Sequence, residues 1–532
     1  MKKLLLSLLP ALTLQSASAA TINISGNLTG TNNWSATNTY ILNSKVNVMS
    51  NSVLNIEAGT VIKGQTNADA FTISALFITR GGKIFANGTA NNPIIFTSVL
   101  DNVNDPFDLA LYQRGLWGGV VLLGKANLNT ATSAAGNSAS PKYDIYEGLP
   151  DTQASGQFVN RFGGTDDDDS SGVFRYVSIR HGGKVLESNK EINGLSMGAV
   201  GRGTTIEYVE CYAIADDGFE WFGGTVNCKY LVSAFNDDDT FDADQGFSGK
   251  LQFLFSIQDP AIRDKGWELN GEPQGIGVGA LPKMKMEVYN ATTIGAGTNG
   301  GGSGNNTFTI RDFASPSFFN SIFTDYSQRG LSISANTSNN ITTGSLDFRN
   351  NLWWGFGTSA NANTATNIVV DNGAVFFSDA ARSNSIVNPL LKNINRGDNL
   401  LLDPRLQAGS PALSGAKAVP NDGFYTPVNY CGAFDANDLW IAGWTALSEY
   451  EILVVALPSI VAPTILVNKN GNSISLSCAS QNGRSYQLQS DNILGTAPGW
   501  ANVGSPTAGT GSTINFLQPI NATNAFYRIV VQ

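Results

Sequence analysis

Histidine is almost missing from this chain of 532 residues: there is one, His181. A Ser-His-Asp triad could use only that residue, and a zinc site needing two or more histidines is excluded. Cysteine is nearly as scarce. Cys211, Cys228, Cys431 and Cys478 contain no C-x-x-C pair, which removes zinc ribbons and thioredoxin-like motifs. One disulfide, Cys211–Cys228, or four buried thiols both fit that count. Charge is sparse too, at 14% of residues against roughly 25% in an average soluble protein. With 32 basic and 42 acidic residues the net charge is −10, and phosphate contacts need clustered cations, so nucleic acid is not an expected partner. No apolar run reaches the length of a membrane span. The longest, Ile452–Ala462, is broken by Pro458.

What the chain does have is apolar residues (42%), aromatics (10%) and 57 glycines, a composition that excludes wholesale disorder. Residues 1–20 read as a signal peptide. Lys2 and Lys3 form a basic start, Leu4–Leu14 an apolar stretch, and Ala17-Ser-Ala19 a cleavage signal. Export beyond the inner membrane of a bacterium is therefore expected, and losing Lys2 and Lys3 would take the charge from −10 to −12.

A repeat near 22 residues dominates the chain beyond that segment. Leu54-NIEAGTVIKG is echoed from Leu76, Tyr208-VECY from Tyr230, and Asp217-GFE from Asp239-TFD. Lys265-GWE comes 26 residues after Asp239, and Asn193-GLS lies 24 before Asp217. Each unit holds short alternating strands with Gly, Asn or Asp at the bends, as in one coil of a parallel solenoid. The expected fold is all-β: a right-handed single-stranded parallel β-helix over residues 21–456, capped by Thr21–Tyr40 and closed by Leu401–Trp444. A linker (457–463) then leads to a small β-sandwich-like module (464–532). Propeller blades and leucine-rich repeats have other periods and consensus residues.

Stacking coils about 4.8 Å apart turns single acids into columns. Leu195, Phe219, Phe241 and Trp267 should form an inward apolar column. Asp216, Asp238 and Asp264 then stack, as do Glu220, Asp242 and Glu268, and Asp217 with Asp239 and Lys265. Like charges at that spacing repel by roughly 3–4 kcal/mol at an effective dielectric near 20. Proton uptake or a bridging divalent cation would relieve this. Calcium, which takes six to eight hard oxygens, is the expected ion, held within Asp216, Asp217, Glu220, Asp237, Asp238, Asp239, Asp242 and Asp244. Solvated turn carboxylates are the alternative. Asp166–Asp169 and the group Asp101, Asp105 and Asp108 are weaker candidates.

The stretches Leu54-NIEAGTVIKG, Ala75-LFITRGGKIFANGTANNPIIFTS, Gly115-LWGGVVLLGKA, Phe174-RYVSIRHGG, Thr205-IEYVECYAIADDGFEWFGG and Gly423-FYTPVNYCGAFD resemble secreted bacterial right-handed β-helix proteins of the Bacteroidetes and Verrucomicrobia type. That resemblance implies the fold; the group is mostly uncharacterised. The segment from Ser485-YQLQS to Phe526-YRIVV is similar to terminal modules of secreted Verrucomicrobia proteins, which look like sorting or attachment units.

The expected role is structural or adhesive at the cell surface, with a calcium-stiffened flank and a face for extracellular or cell-wall polysaccharide. The alternative is a calcium-dependent lyase or glycoside hydrolase on an acidic polysaccharide. For elimination, Arg263 or Lys265 would act as base beside the metal. For hydrolysis, Asp217 with Asp239, or Glu220 with Asp242, would pair. Among the tryptophans Trp117, Trp221, Trp267, Trp353 and Trp354, Trp221 is the expected exposed sugar platform, since it sits near the bend at Gly223-Gly224.

Overall fold

The computed structural model describes residues 20–66, 73–130, 142–153, 155–187, 190–272, 280–297, 305–357, 368, 372–454, 463–480, 485–492, 500–508, 513–520 and 526–531. The expected signal peptide, all but the last residue of the linker 457–463 and the core of the Gly295–Asn306 loop lie outside the described residues. The chain divides into two compact units, Met1–Val454 and Val455–Gln532. No helix among the described residues is long and apolar enough to cross a membrane.

The first unit is a right-handed parallel β-helix in which 25 strands join one continuous sheet wound on itself. Each coil contributes to three stacks. The first begins with Thr31–Trp34, Val53–Ile56 and Lys83–Asn87 and continues in the first half of Gly172–Arg180 and Thr205–Tyr212. The second follows directly in the latter half of those long strands. The third runs through Ala75–Ile78, Val120–Leu123, Leu195–Gly198, Phe219–Phe222, Phe241–Asp244, Trp267–Asn270 and Phe308–Arg311. Alternation sends every second side chain inward, so the core is a column of apolar rungs, each buried side chain contributing about 1.5–3 kcal/mol. The first rung is the polar segment itself: Ala20–Leu28 pairs with Asn38–Val48.

Leu195, Phe219, Phe241 and Trp267 are in register and fully buried. The Phe241 and Trp267 rings stack at 4.4 Å. The echo of Leu54 in Leu76 has another meaning. Leu54 pairs with Asn32 and Ile84, whereas Leu76 pairs with Val46 and Val120. Two strands of different stacks share one inward-facing pattern, so similar sequence there does not mark vertical neighbours.

The bend between the first two stacks is one residue in left-handed conformation: Tyr176, Tyr208, Tyr230, Phe253, Asn290 and Asn320, all with φ between 47° and 59°. The aromatic members form a pile, with rings 4.3 Å apart for Tyr176–Tyr208, 4.2 Å for Tyr208–Tyr230 and 5.0 Å for Tyr230–Phe253. Such contacts offset part of the about 1–2 kcal/mol that a left-handed residue costs. Asparagine, which adopts this conformation more readily, takes over further along.

The closing segment does not add a coil. Residues 412–450 run back along this bend as a strap. Asn290 donates to Tyr430 O (2.9 Å), and Asn320 exchanges two hydrogen bonds with Lys417. Trp440 and Trp444 pack edge-on against the tyrosine pile. At its far end Arg180, 1% exposed, pairs with Glu449 (2.6 Å), and buried Glu210 accepts the Ala446 N–H (2.6 Å).

The second unit has two antiparallel sheets. Leu466–Asn470, Ser473–Ala479 and Thr513–Pro519 form one; Ser485–Asp491 with Ala501–Asn502, Thr507–Ala508 and Phe526–Val531 forms the other. Leu476, Tyr486, Leu488, Ile514 and Phe516 share their core, as in a small sandwich.

Candidate metal centre

The third stack carries the site on its outer face. Toward the N-terminus that face is apolar: Phe77, Val121 and Leu123 are covered by Leu128, Tyr146 and Phe162 from the inserted segment before the strand Gly172–Arg180. Further along, the outward positions become Ser196, Glu220, Asp242 and Glu268, paired in that order. Their polarity follows from parity: each is the residue after an inward aromatic or leucine.

Four overlapping triads arise, in each of which carboxylate oxygens lie within 4.8 Å of one another: Asp216–Asp217–Asp238, Asp217–Glu220–Asp242, Asp238–Asp239–Asp264 and Asp239–Asp242–Glu268. Asp242 belongs to two of them. Its Oδ1, like that of Asp244, is buried with no hydrogen-bond donor among the described residues. Asp217 and Asp239 are more constrained. Asp217 Oδ1 accepts the Asp239 N–H (2.8 Å), and Asp239 Oδ1 accepts the Lys265 N–H (2.7 Å). Gly218 permits this approach, because a Cβ there would lie 2.2 Å from Ser233 Oγ.

Burial and mutual repulsion raise the acids' proton affinity. Burial, with Glu191, Asp238 and Glu147 nearby, pushes Asp216 up to about 8. Burial and Asp264 push Asp238 up to about 6. Burial lifts Asp217, Glu220, Asp239, Asp242 and Asp244 well above the carboxylate range, neighbouring carboxylates adding to the rise. Glu268 goes the other way: burial would raise it, but Lys265 and Arg311 hold it below the usual value. Lys265 Nζ lies 2.7 Å from Glu268, 2.5 Å from Asp264 and 3.9 Å from Asp239. Burial disfavours its charge, and Asp239 and Glu268 more than restore it.

Six of the eight expected ligands, Asp216, Asp217, Glu220, Asp238, Asp239 and Asp242, therefore come together. Asp237 and Asp244 join none of the triads. Asp237 faces toward Arg114 and Asp259, and Asp244 toward Asp144 and Glu147. The expected set omits Asp264 and Glu268, whose stacking is visible in the repeat. It also omits Glu147, which burial and Glu191 push up to about 7. Glu147 arrives on the inserted segment, and no local spacing announces it.

Three expectations are corrected. Trp221 is not an exposed platform. It is 0% exposed and packs on Phe247 at 5.3 Å, because it lies two residues after inward Phe219 and shares its parity. Trp117, Trp267 and Trp353 are buried likewise. Cys211 and Cys228 form no disulfide: Cys228 stacks on Ile206 and Cys211 on Ser233, and all four cysteines are free and buried. Arg263 is 9% exposed, with Nη1 donating to Ala261 O, and lies beside Asp259 and Asp264.

The other acidic groups have protein partners. Asp168 pairs with Arg202 (2.8 Å), Asp169 accepts the Lys125 N–H, and Asp101 accepts the Thr97 hydroxyl. His181 is buried, its ring nitrogens bonded to Gln113 O and the Tyr450 hydroxyl.

Stacked parallel coils with an acid-lined outer face define a β-helix protein of the kind that handles polysaccharide or sits at a surface. Residues 26–386 match the pectate-lyase-like β-helix domain, and the chain belongs to that family. No curated protein matches the sequence.

Proposed function

We propose that this is an exported, calcium-stabilised β-helix protein that presents a polysaccharide-binding face at or beyond the cell surface without cleaving the polymer. The observation carrying the metal assignment is Asp242, shared by two carboxylate triads and holding a buried oxygen that no donor among the described residues satisfies. Hard, crowded carboxylate oxygens suit calcium, whose charge would replace the protons that burial otherwise imposes. Family membership supports the polysaccharide clause. The signal-like residues 1–20 support export.

Elimination through Lys265 is disfavoured, since its ammonium is clamped by Asp264, Glu268 and Asp239 and held protonated. One observation favours the hydrolytic alternative: Asp242 is held protonated beside Glu268, which is held ionised, the division of labour that an acid and a base require.

Calorimetric titration of chelator-treated protein with calcium tests the metal clause. Heat of binding, proton release at neutral pH and a raised melting temperature are expected, all reduced in Asp242→Asn. Absence of heat and of thermal shift removes calcium from the reading. Reducing-end or unsaturated product from polyuronates, abolished in Asp242→Asn, would replace binding with catalysis.

A further inference from the structure

A second feature lies apart from the acids and has the opposite charge. Arg80 stands at the bend after the strand Ala75–Ile78, half-buried, with Nε donating to Gly163 O (2.6 Å). It lines a cavity of about 290 Å³ together with Ser50, Tyr143, Gln157, Phe158 and Arg161. Its guanidinium carbon is 5.2 Å from the centre of the Tyr143 ring; that of Arg161 is 5.4 Å from the same ring and 3.9 Å from Phe158. Arg161 is neutralised by Asp151. Arg80 has no carboxylate partner among the described residues, although the chain carries a net charge of −10. Phe158 is 50% exposed.

We propose that this cavity binds one carboxylated sugar ring of an acidic polysaccharide, with Arg80 taking the carboxylate and the Phe158–Tyr143 pair the apolar ring face. A half-buried guanidinium without a counter-ion, in a protein with acids to spare, is set to receive an anion from outside. Its planar fork suits a carboxylate. The flanking aromatics distinguish a sugar acid from a bare ion, because they offer flat apolar surface that an inorganic anion cannot use. The volume approaches the lower end of ligand pockets, roughly 300 Å³, which limits the occupant to about one ring. Two arginines also hold the Tyr143 face in place, so little ordering is needed on binding.

This inference deepens the polysaccharide clause above and does not depend on calcium. The experiment is therefore run in chelator, with the full chain. Calorimetry and ligand-observed NMR would compare a trimer of galacturonic acid with a trimer of galactose and with inorganic sulfate. The acidic trimer should bind, the neutral trimer at least tenfold more weakly, and sulfate more weakly than the acidic trimer. Arg80→Ala should weaken the acidic trimer at least tenfold, Arg80→Lys by less, and Phe158→Ala should weaken it without restoring preference for the neutral trimer. Phe158→Ala and Arg80→Lys keep the test decisive if Arg80→Ala fails to fold. Equal binding of acidic and neutral trimers, or unchanged affinity in Arg80→Ala, overturns the proposal. Sulfate binding as tightly as the acidic trimer overturns its sugar assignment. Loss of calcium binding with trimer binding intact leaves it standing.

Discussion

Asp239 Oδ1 accepts the backbone N–H of Lys265, one coil further along, at 2.7 Å, and the Lys265 ammonium in turn lies 3.9 Å from the same carboxylate oxygen. One side chain thus both fixes the register of a coil and neutralises the only lysine in the acidic triads' neighbourhood among the described residues. Replacing it separates these duties. Asp239→Ala removes the acceptor from a residue only 3% exposed and should cost about 2–4 kcal/mol, read as a lowered denaturation midpoint. Asp239→Asn keeps the acceptor and removes a charge, so chelated protein should lose less than about 1 kcal/mol while calcium affinity falls.

Stability should depend on pH in a direction unusual for an acidic protein. Asp216, Asp238 and Glu147 have folded-state values near 8, 6 and 7, above their unfolded values, so the folded chain holds more protons between about pH 4 and 8. The stability they confer is full below the unfolded values and is lost as pH rises through the folded ones, at about 1.4 kcal/mol per pH unit for each group titrating alone. Melting of chelated protein should therefore fall from pH 5 to pH 8. Saturating calcium should flatten that slope, and Asp216→Asn should reduce it.

The strap offers a test independent of metal. Arg180→Ala leaves Glu449 without its partner and opens a buried site, with an expected loss of about 3–5 kcal/mol. Limited proteolysis should then cut within residues 412–450 faster than in the parent chain.

Trp221→Ala should act as a core truncation, lowering stability by about 3–5 kcal/mol. Polysaccharide affinity, measured below the melting range, should not change.

Four thiols should react with a thiol reagent in denaturant without prior reduction, and none quickly in the folded chain, since burial raises Cys211, Cys228, Cys431 and Cys478 alike. A mass that rises by two protons on reduction would restore the Cys211–Cys228 bridge.

Much of the third stack was legible because its coils are short and uninterrupted. Steps of 24, 22 and 26 residues placed Leu195, Phe219, Phe241 and Trp267 in one column, and the acids followed by alternation. The same alternation put Trp221 indoors, and proximity to a bend was the weaker cue. The Leu54–Leu76 echo misled for a different reason: any inward strand of this fold has the same pattern, so likeness alone cannot say which stack it joins. Glu147, Tyr143 and Phe158 were beyond sequence reasoning. They reach the coils through a long insertion whose path depends on apolar contacts with Phe77, Val121 and Phe222, residues far away in the chain.

The row of left-handed residues at one edge changes how such a stack should come apart. Coils that touch only their neighbours can fray one at a time. Here Tyr176 through Asn320 are fastened to a common brace, by ring contacts at one end and amide bonds at the other. A middle coil cannot tilt without dragging its neighbours through that brace, and neither end can peel while it stays attached. The solenoid then behaves as a beam rather than a spring, and its loss of order is concerted across the braced levels.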